Sequence, residues 1–285
     1  MQLLRDSYSS EKISLCGKSV HIEPTSKRIK IYGLKNIKHF NKFITELRLI
    51  GNNLNCDKLI FYVTKTEEEL IKKYNCSYEG FIEGFFNGNN AYIYSIFLVP
   101  SRNKPYVSEE EAKVMDYMIR VKKNNGRFNI PKGFKMRWAI ESDALQMAKL
   151  YDKVFESYPT PMNKPDFIIE MMNNDVYFSV VERNNEIVSA CSADVLPHFN
   201  SAELSDCATD SRYRSKQLLS HQVSHLISLM KIMEINTIFS YSRSVSIGMN
   251  LVNVKHNFKY GGRMIANSNI AGRLENMNIW YKNIK

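Results

Sequence analysis

Cysteine, glycine and proline are all scarce in this chain, and long apolar runs are missing. The five cysteines, at positions 16, 56, 76, 191 and 207, are an odd, scattered set with no CxxC pair. That excludes a disulfide framework and zinc-finger spacing, and it predicts reduced thiols. Twelve glycines and eight prolines in 285 residues are too few for a collagen-like or linker-dominated protein. The longest near-apolar stretch, AYIYSIFLVP at 91–100, falls well short of the roughly 20 residues that a membrane-spanning helix needs. The opening MQLLRDSYSSEKISL lacks an apolar core of signal-peptide length and meets acids early. These absences point to a cytoplasmic protein with no membrane partner.

What the chain does have is apolar and aromatic bulk: 44% apolar residues, with 16 tyrosines and 15 phenylalanines. That is ample for buried cores and excludes wholesale disorder. At roughly 100–200 residues per domain, two domains are expected. The net charge of +10 is unevenly spread. Residues 1–133 carry 22 basic and 14 acidic side chains, while 134–285 carry 17 and 15. The excess runs through KRIK at 27–30, Lys35, Lys38, Lys42 and VKKNNGR at 121–127. Clustered cations can neutralise phosphates, but no RNA-binding aromatic signature accompanies them. They read as solvated faces, and no nucleic-acid partner is expected.

The first half patterns as a mixed α/β unit, with strands at 28–32, 58–63, 78–86 and 91–99 and helical spacing at 36–50 and 66–74. Asn87-Gly88-Asn89-Asn90 reads as a hairpin turn. Ser108 and Glu111 form a capping box that opens a helix running to about residue 123. Asn124-Asn125-Gly126 and Pro131-Lys132-Gly133 punctuate the chain, placing a boundary between a domain at 1–133 and one at 134–285. The second half reads as strand 134–140, helices 141–156 and 165–173, a hairpin at 176–182 and 186–196, and strand 201–209. Helix 216–233, strand 237–242, helix 246–256 and strands near 260–269 and 275–281 follow.

That order, with the stretches VFESYPTP (154–161), SAELSDCATDSRYRSKQL (201–218), SIGMNLVNVKHNFKYGGRMIANSNI (246–270) and ENMNIWYKN (275–283), resembles the GNAT superfamily of acetyl-CoA-dependent N-acetyltransferases. More closely it is similar to the β-lysine N-acetyltransferase family, and YEGFIEGFFNG (78–88) extends the resemblance into the first half. The resemblance implies an α/β protein with a GNAT fold in the C-terminal half, preceded by a smaller mixed α/β domain. It also implies acetyl-CoA as co-substrate and a small-molecule amine as acceptor. The acceptor expected is β-lysine, giving N6-acetyl-β-lysine, a compatible solute, by direct transfer. A homodimer is left open.

Acetyl transfer to an amine asks a protein to cradle a pyrophosphate, polarise a thioester carbonyl and remove a proton from an ammonium. A helix N-terminus suits the first task, since its free N–H groups and dipole meet the anion. Arg214, Ser215, Lys216, Gln217, Leu218 and Leu219 occupy that place. They match the superfamily pattern Q/R-x-x-G-x-G/A only partly, because Gln217 and Leu219 replace small residues. Both are expected in the first helical turn, where a glycine would forfeit about 1 kcal/mol of helix propensity.

Glu203 stands eleven residues ahead of Arg214, the spacing of the catalytic glutamate in those GNAT enzymes that use one. It reads either as general base or as substrate anchor, and burial would raise its pKa toward neutrality. Asp206 would face the other way on a regular strand, and a bulge would change which carboxylate meets the cleft. Backbone amides of Cys207, Ala208 and Thr209 are implied as holders of the thioester carbonyl. Cys207 itself reads as a small buried side chain rather than an acyl carrier.

Asn253 stands where many of these enzymes place an acidic tyrosine. For the acceptor pocket the candidates are Tyr158, with the 158–161 loop, and Asn267, Asn269 and Glu275, with Arg243 or Arg263 for a carboxylate. His221 and His225, four apart on a helix, read as solvated, and no metal is assigned. The sheet is expected to splay open between strands 201–209 and 237–242.

Overall fold

The computed structural model of the chain describes residues 11–104, 107–121 and 130–285. The first ten residues, the basic run from 122 onward and the turn at 124–126 lie outside these. Alternation builds the first unit from antiparallel strands β1 (Glu11–Leu15), β2 (Lys18–Glu23) and β3 (Arg28–Tyr32). Val20, Ile22, Ile29 and Ile31 share one face, buried against Phe43, Ile44 and Leu47 of helix α1 (Phe40–Asn53). Successive strand side chains alternate, so His21, Glu23, Arg28, Lys30 and Tyr32 share the other face.

Strand β4 (Lys58–Val63) joins β3 in parallel, buried along its whole length. After the short α2 (Glu68–Ile71), β5 (Ser77–Phe86) and β6 (Asn89–Phe97) form a hairpin. Its turn is Asn87-Gly88, both at positive φ. Helix α3 (Glu109–Arg120) opens on the expected box: Ser108 Oγ accepts from the Glu111 amide at 3.2 Å, and the Glu111 carboxylate accepts from the Ser108 amide at 2.9 Å.

The second half follows the expected order. It comprises β7 (Lys135–Trp138), α4 (Ala144–Val154), α5 (Pro165–Met172), β8 (Val176–Arg183), β9 (Glu186–Leu196) and β10 (Ser201–Thr209). Then come α6 (Leu218–Ile232), β11 (Thr237–Arg243), α7 (Ile247–Lys255), β12 (Lys259–Ile270) and β13 (Arg273–Asn283). Helices α4 and α5 cover one face of the strands through Met147, Leu150 and Ile168. Helices α6 and α7, joined by Val114 and Met118 of α3, cover the other.

The described strands form one thirteen-stranded sheet, ordered β1-β2-β3-β4-β6-β5-β12-β13-β11-β10-β9-β8-β7. The C-terminal hairpin β12–β13 thus lies between the two halves. Where β5 meets β12, Gly80 and Gly262 pair at φ +147 and +136, and a Cβ on either would come within 2.3 Å of the opposing backbone carbonyl. Only glycine admits that approach. Polar contacts close the same seam: Lys58 Nζ donates to Glu79 at 2.8 Å and to the Ile265 carbonyl at 2.7 Å, and Arg102 reaches the Ala266 carbonyl.

The sheet curls until its inner face meets itself. Tyr62 and Tyr241 share a hydroxyl–hydroxyl hydrogen bond of 2.7 Å, amid Tyr32, Phe85, Phe199 and Phe239. This curl corrects one expectation. Arg28 is 7% exposed and the Lys30 side chain 11%, so the charges of KRIK are turned inward rather than solvated, while Lys27 stays exposed. Among the described residues no helix is long and apolar enough to cross a membrane.

Candidate active site

The cleft begins where two strands part. β10 and β11 pair in parallel only at Ser201–Thr237, Ala202–Ile238 and Glu203–Phe239, and beyond Glu203 they diverge. On its other side β10 slips register against β9 between Ser205 and Ala208, with Asp206 in the left-handed region at φ 49. This is a β-bulge, and its consequence is that Glu203 and Asp206 both line the cleft. Tyr151 pins the bulge by donating to the Asp206 carbonyl at 2.7 Å. The cleft encloses about 1530 Å³.

Three carboxyls gather at its back. Glu203 is pushed up to about 7, first by burial and then by Asp194 and Asp206, with Lys30 and Arg28 opposing. Asp194, its direct cross-strand partner on β9, is raised to about 6 by burial and by Asp206, again against Lys30. Asp206 is also raised by burial, although the hydroxyls of Ser192 at 2.7 Å and Tyr158 at 3.1 Å donate to it. Neither Glu203 nor Asp194 has a hydrogen-bond or ion-pair partner among the described residues.

At the other end of the cleft, α6 starts without a side-chain cap. Gln217 is its N-cap and lies in the left-handed region at φ 59, with Ser215 at φ 65. This corrects the expected placement of Gln217 in the first turn. The glutamine keeps the backbone conformation that a glycine favours, and its side chain is exposed and makes no cap bond to the helix. Arg214, Ser215, Lys216 and Gln217 are all exposed there. Leu218 is buried and Leu219 half-buried. The preceding loop is tied down by Asp210, which accepts from Lys153 at 2.8 Å and from the Arg212 amide at 3.0 Å.

Of the residues singled out in the sequence, Tyr158, Glu203, Asp206, Cys207, Thr209, Arg214, Ser215, Gln217, Leu218 and Leu219 line the cleft together. Ala208 is buried below it, and Lys216 points to solvent. Asn267, Asn269 and Glu275 lie outside the lining. Asn267 offers its carbonyl to Arg28 at 2.8 Å, Asn269 borders an adjoining pocket of about 440 Å³ with Thr25 and Thr160, and Glu275 pairs with Arg243 at 2.8 Å and Arg273 at 2.7 Å. Arg243 lines the cleft, whereas Arg263 bonds Asn278.

Cys207 is half-buried on the cleft rather than fully buried as expected; its Sγ sits 3.0 Å from Cys191 Sγ, with no histidine among its partners in the described residues. Asn253 is buried and donates to Ser242 Oγ at 2.9 Å. The two histidines are a further correction. His221 is 5% exposed, and His225 stacks on Trp138 with ring centroids 3.6 Å apart while bonding Ser179, so neither is solvated.

Sequence reasoning missed the far wall of the cleft. Lys12, Ser19, His21, Glu23, Arg28, Lys30 and Tyr32 line it, all from β1–β3. Glu23 binds Lys30 at 2.7 Å and Arg28 at 2.5 Å, and these two cations hold its carboxyl near 2 against the opposing effect of burial. His21 is lowered to about 4 by burial and by Lys30, so it is neutral. The alternation of β2 and β3 was a usable signal, but which face met the cleft depends on the curl of the whole sheet.

The cleft has features that could hold an extended, anionic ligand such as acetyl-CoA. The opening between β10 and β11 exposes strand edge, and Ser240 Oγ on β11 is buried without a partner beside the cleft. The uncapped N-terminus of α6 presents its first amides to an anion. Among the described residues no group of three or more His, Cys, Asp or Glu side chains is arranged to hold a metal ion.

No family model matches the chain. Among solved structures, YncA of Salmonella typhimurium with its cofactor acetyl-CoA covers 54% of this chain and 95% of its own, at 13% identity and a TM-score of 0.47. The N-acetyltransferase YodP of Bacillus subtilis is 32% identical over 259 residues, 91% of this chain and 93% of the relative. The β-lysine N(6)-acetyltransferase of Methanococcus maripaludis is 30% identical over 253 residues, 89% and 92% of the two chains. The protein is an N-acetyltransferase. Within that class the chain belongs to the β-lysine N-acetyltransferase family.

Proposed function

We propose that this enzyme acetylates the side-chain amine of β-lysine, producing the compatible solute N6-acetyl-β-lysine by direct transfer. The observation that carries the reading is the acid-lined acceptor end of the cleft. In a chain of net charge +10, Glu203, Asp194 and Asp206 converge at one place, and two of them lack partners among the described residues. An acceptor with two ammonium groups fits such a site, and a relative's name specifies that acceptor.

When bound, acetyl-CoA supplies the acyl thioester. Arg214, with the amides of the loop from Ser215 through Lys216 and Gln217 to Leu218 and Leu219, holds the pyrophosphate at the start of α6. Ser240 Oγ, unpartnered among the described residues, would hold the pantetheine arm. Strand amides alternate in direction, so on the opened edge of β10 the Cys207 and Thr209 amides would hold the thioester carbonyl, while that of Ala208 faces β9.

Glu203 takes a proton from the acceptor's ammonium, directly or through a water, and so frees the amine lone pair that attacks. A base at about 7 is half ionised at neutral pH and is far better matched to an amine near 10.4 than an ordinary glutamate. Asp206, fixed by Tyr158 and Ser192, is the second carboxylate in reach and shares the acid–base work.

Tyr158 faces the acceptor. Asn267, Asn269 and Glu275 act one layer back, holding Arg28, Thr25 and Arg243. Residues 1–133 form the unit that closes the acceptor end, and residues 134–285 the acetyltransferase unit. The reading carries with it a cytoplasmic location.

Incubation with acetyl-CoA and a panel of amines, followed by release of free thiol, tests it. β-Lysine should give the highest kcat/KM. A simple monoamine turning over as well as β-lysine would overturn the proposal.

A further inference from the structure

Three side chains at the acceptor end have bonding capacity left over. Lys30 carries three ammonium N–H groups, and its one charged partner among the described residues is Glu23. Asp194 and Glu203 carry carboxylates with none. All three line the same cleft, and Lys30 acts electrostatically on both acids. Arg28 differs, because its guanidinium is already spent on Glu23, the Asn267 carbonyl and Ser268.

We propose that Lys30 and Asp194 form the subsite that reads the non-reacting end of the acceptor. Lys30 binds its carboxylate and Asp194 binds the ammonium that is not acetylated, while Glu203 serves the one that is. This deepens the β-lysine reading and rests on it.

The spacing supports the assignment. Glu203 and Asp194 are direct cross-strand partners, whose Cβ atoms stand about 4.5–5.5 Å apart in such pairs. In β-lysine the two ammonium groups are separated by four carbons, which suits two carboxylates at that separation. Two unpaired acids and one under-used cation also mirror the two ammonium groups and one carboxylate of the acceptor. The cation comes from β3, which gives the N-terminal unit a role in choosing the substrate rather than in chemistry. The neighbouring His21 is held neutral, so it adds no competing charge.

Three acceptors and two variants separate the roles. β-Lysine has every group, 1,4-diaminopentane lacks the carboxylate, and 6-aminohexanoate lacks the second amine. Rates are read at pH 8.5, above the wild-type inflection, and a pH profile of each variant separates any further rise of Glu203 on loss of Lys30 from a change in acceptor binding. Lys30→Gln should lose roughly 10- to 100-fold in kcat/KM on β-lysine and 6-aminohexanoate, the range for one hydrogen bond to a charged group, and little on the diamine. Asp194→Asn should lose a similar factor on β-lysine and the diamine, and little on 6-aminohexanoate. Both losses should lie in the acceptor KM, with the acetyl-CoA KM unchanged.

Lys30→Arg, which keeps the charge and guards against a fold defect in Lys30→Gln, should retain the preference for a carboxylate. Equal losses on all three acceptors would overturn the subsite. A wild-type protein that acetylates none of the three would overturn the β-lysine reading itself.

Discussion

Glu203 on β10 stands directly opposite Asp194 on β9, and the two carboxyls are raised together, to about 7 and about 6. Burial is the main cause for both, and each also feels Asp206 as a like charge. An acid pair placed this way is poorly stabilised until a cation arrives. The arrangement suits a site that must bind ammonium groups and then deprotonate one.

The pH profile should carry this signature. kcat/KM for the acceptor should rise with pH through an inflection near 7 as Glu203 ionises. Glu203→Gln should cut turnover by roughly 10²–10⁴-fold and abolish that inflection, with acetyl-CoA binding nearly intact. Unchanged turnover in this variant would transfer the base role to Asp206.

Stability should move in the opposite sense to activity. A carboxyl raised from 4.5 to about 7 binds its proton more tightly when folded, so it stabilises the fold at low pH. That contribution is present below about 4.5 and is lost as pH rises through about 7. Glu203→Gln, which removes a buried negative charge, should therefore melt higher than wild type at pH 8, by on the order of 1–3 kcal/mol, and show little gain at pH 4.5. Thermal melts at the two pH values decide it. A lower melting temperature at pH 8 would mean that Glu203 is held ionised by a partner.

The start of α6 offers a separate test. Gln217 occupies a left-handed position outside the helix, so replacing it with glycine removes strain instead of costing helix propensity. Left-handed backbone costs a non-glycine residue about 1–2 kcal/mol, and glycine's extra chain entropy returns about 0.5–1. Gln217→Gly should thus stabilise by up to about 1 kcal/mol and leave acetyl-CoA affinity equal or better in calorimetric titration. Gln217→Val should do the reverse. Loss of stability on introducing glycine would contradict the left-handed assignment.

Cys207 separates direct from covalent transfer. Its sulfur contacts Cys191 and the Ser205 carbonyl, with no base to activate it. Cys207→Ser should retain turnover within about tenfold, as expected where a side chain is not the nucleophile. A loss of several orders of magnitude, together with an acetylated wild-type cysteine in mass spectra, would establish the covalent route.

Much of this was legible in the residues, and what was not has a common cause. The hairpin at Asn87-Gly88 takes the two positive φ values that the dipeptide favours, and the Ser108–Glu111 box starts its helix as written. β10 has the expected bounds, and its pairing with β11 stops after Glu203, as the opening of the sheet requires. These features are set by local chemistry or by the order of elements.

The misreadings were tertiary. Alternation shows that Arg28 and Lys30 share a face, but only the curl of the sheet decides that the face looks into the cleft. Nothing local tells His225 that Trp138 will lie over it. Gln217 follows a basic loop and precedes an apolar stripe, a pattern that fits a helix start within a residue or two, whereas its left-handed backbone is set by how the loop enters α6.

The central claim is the chemistry at one nitrogen, and it is tested most directly by identifying the product formed from acetyl-CoA and β-lysine. The account predicts one coenzyme A thiol released per acceptor consumed. Mass spectrometry and NMR should place the acetyl group on the side-chain N6 amine, with the other amine unmodified. No thiol release, or an acetyl group on the amine nearer the carboxylate, would contradict it.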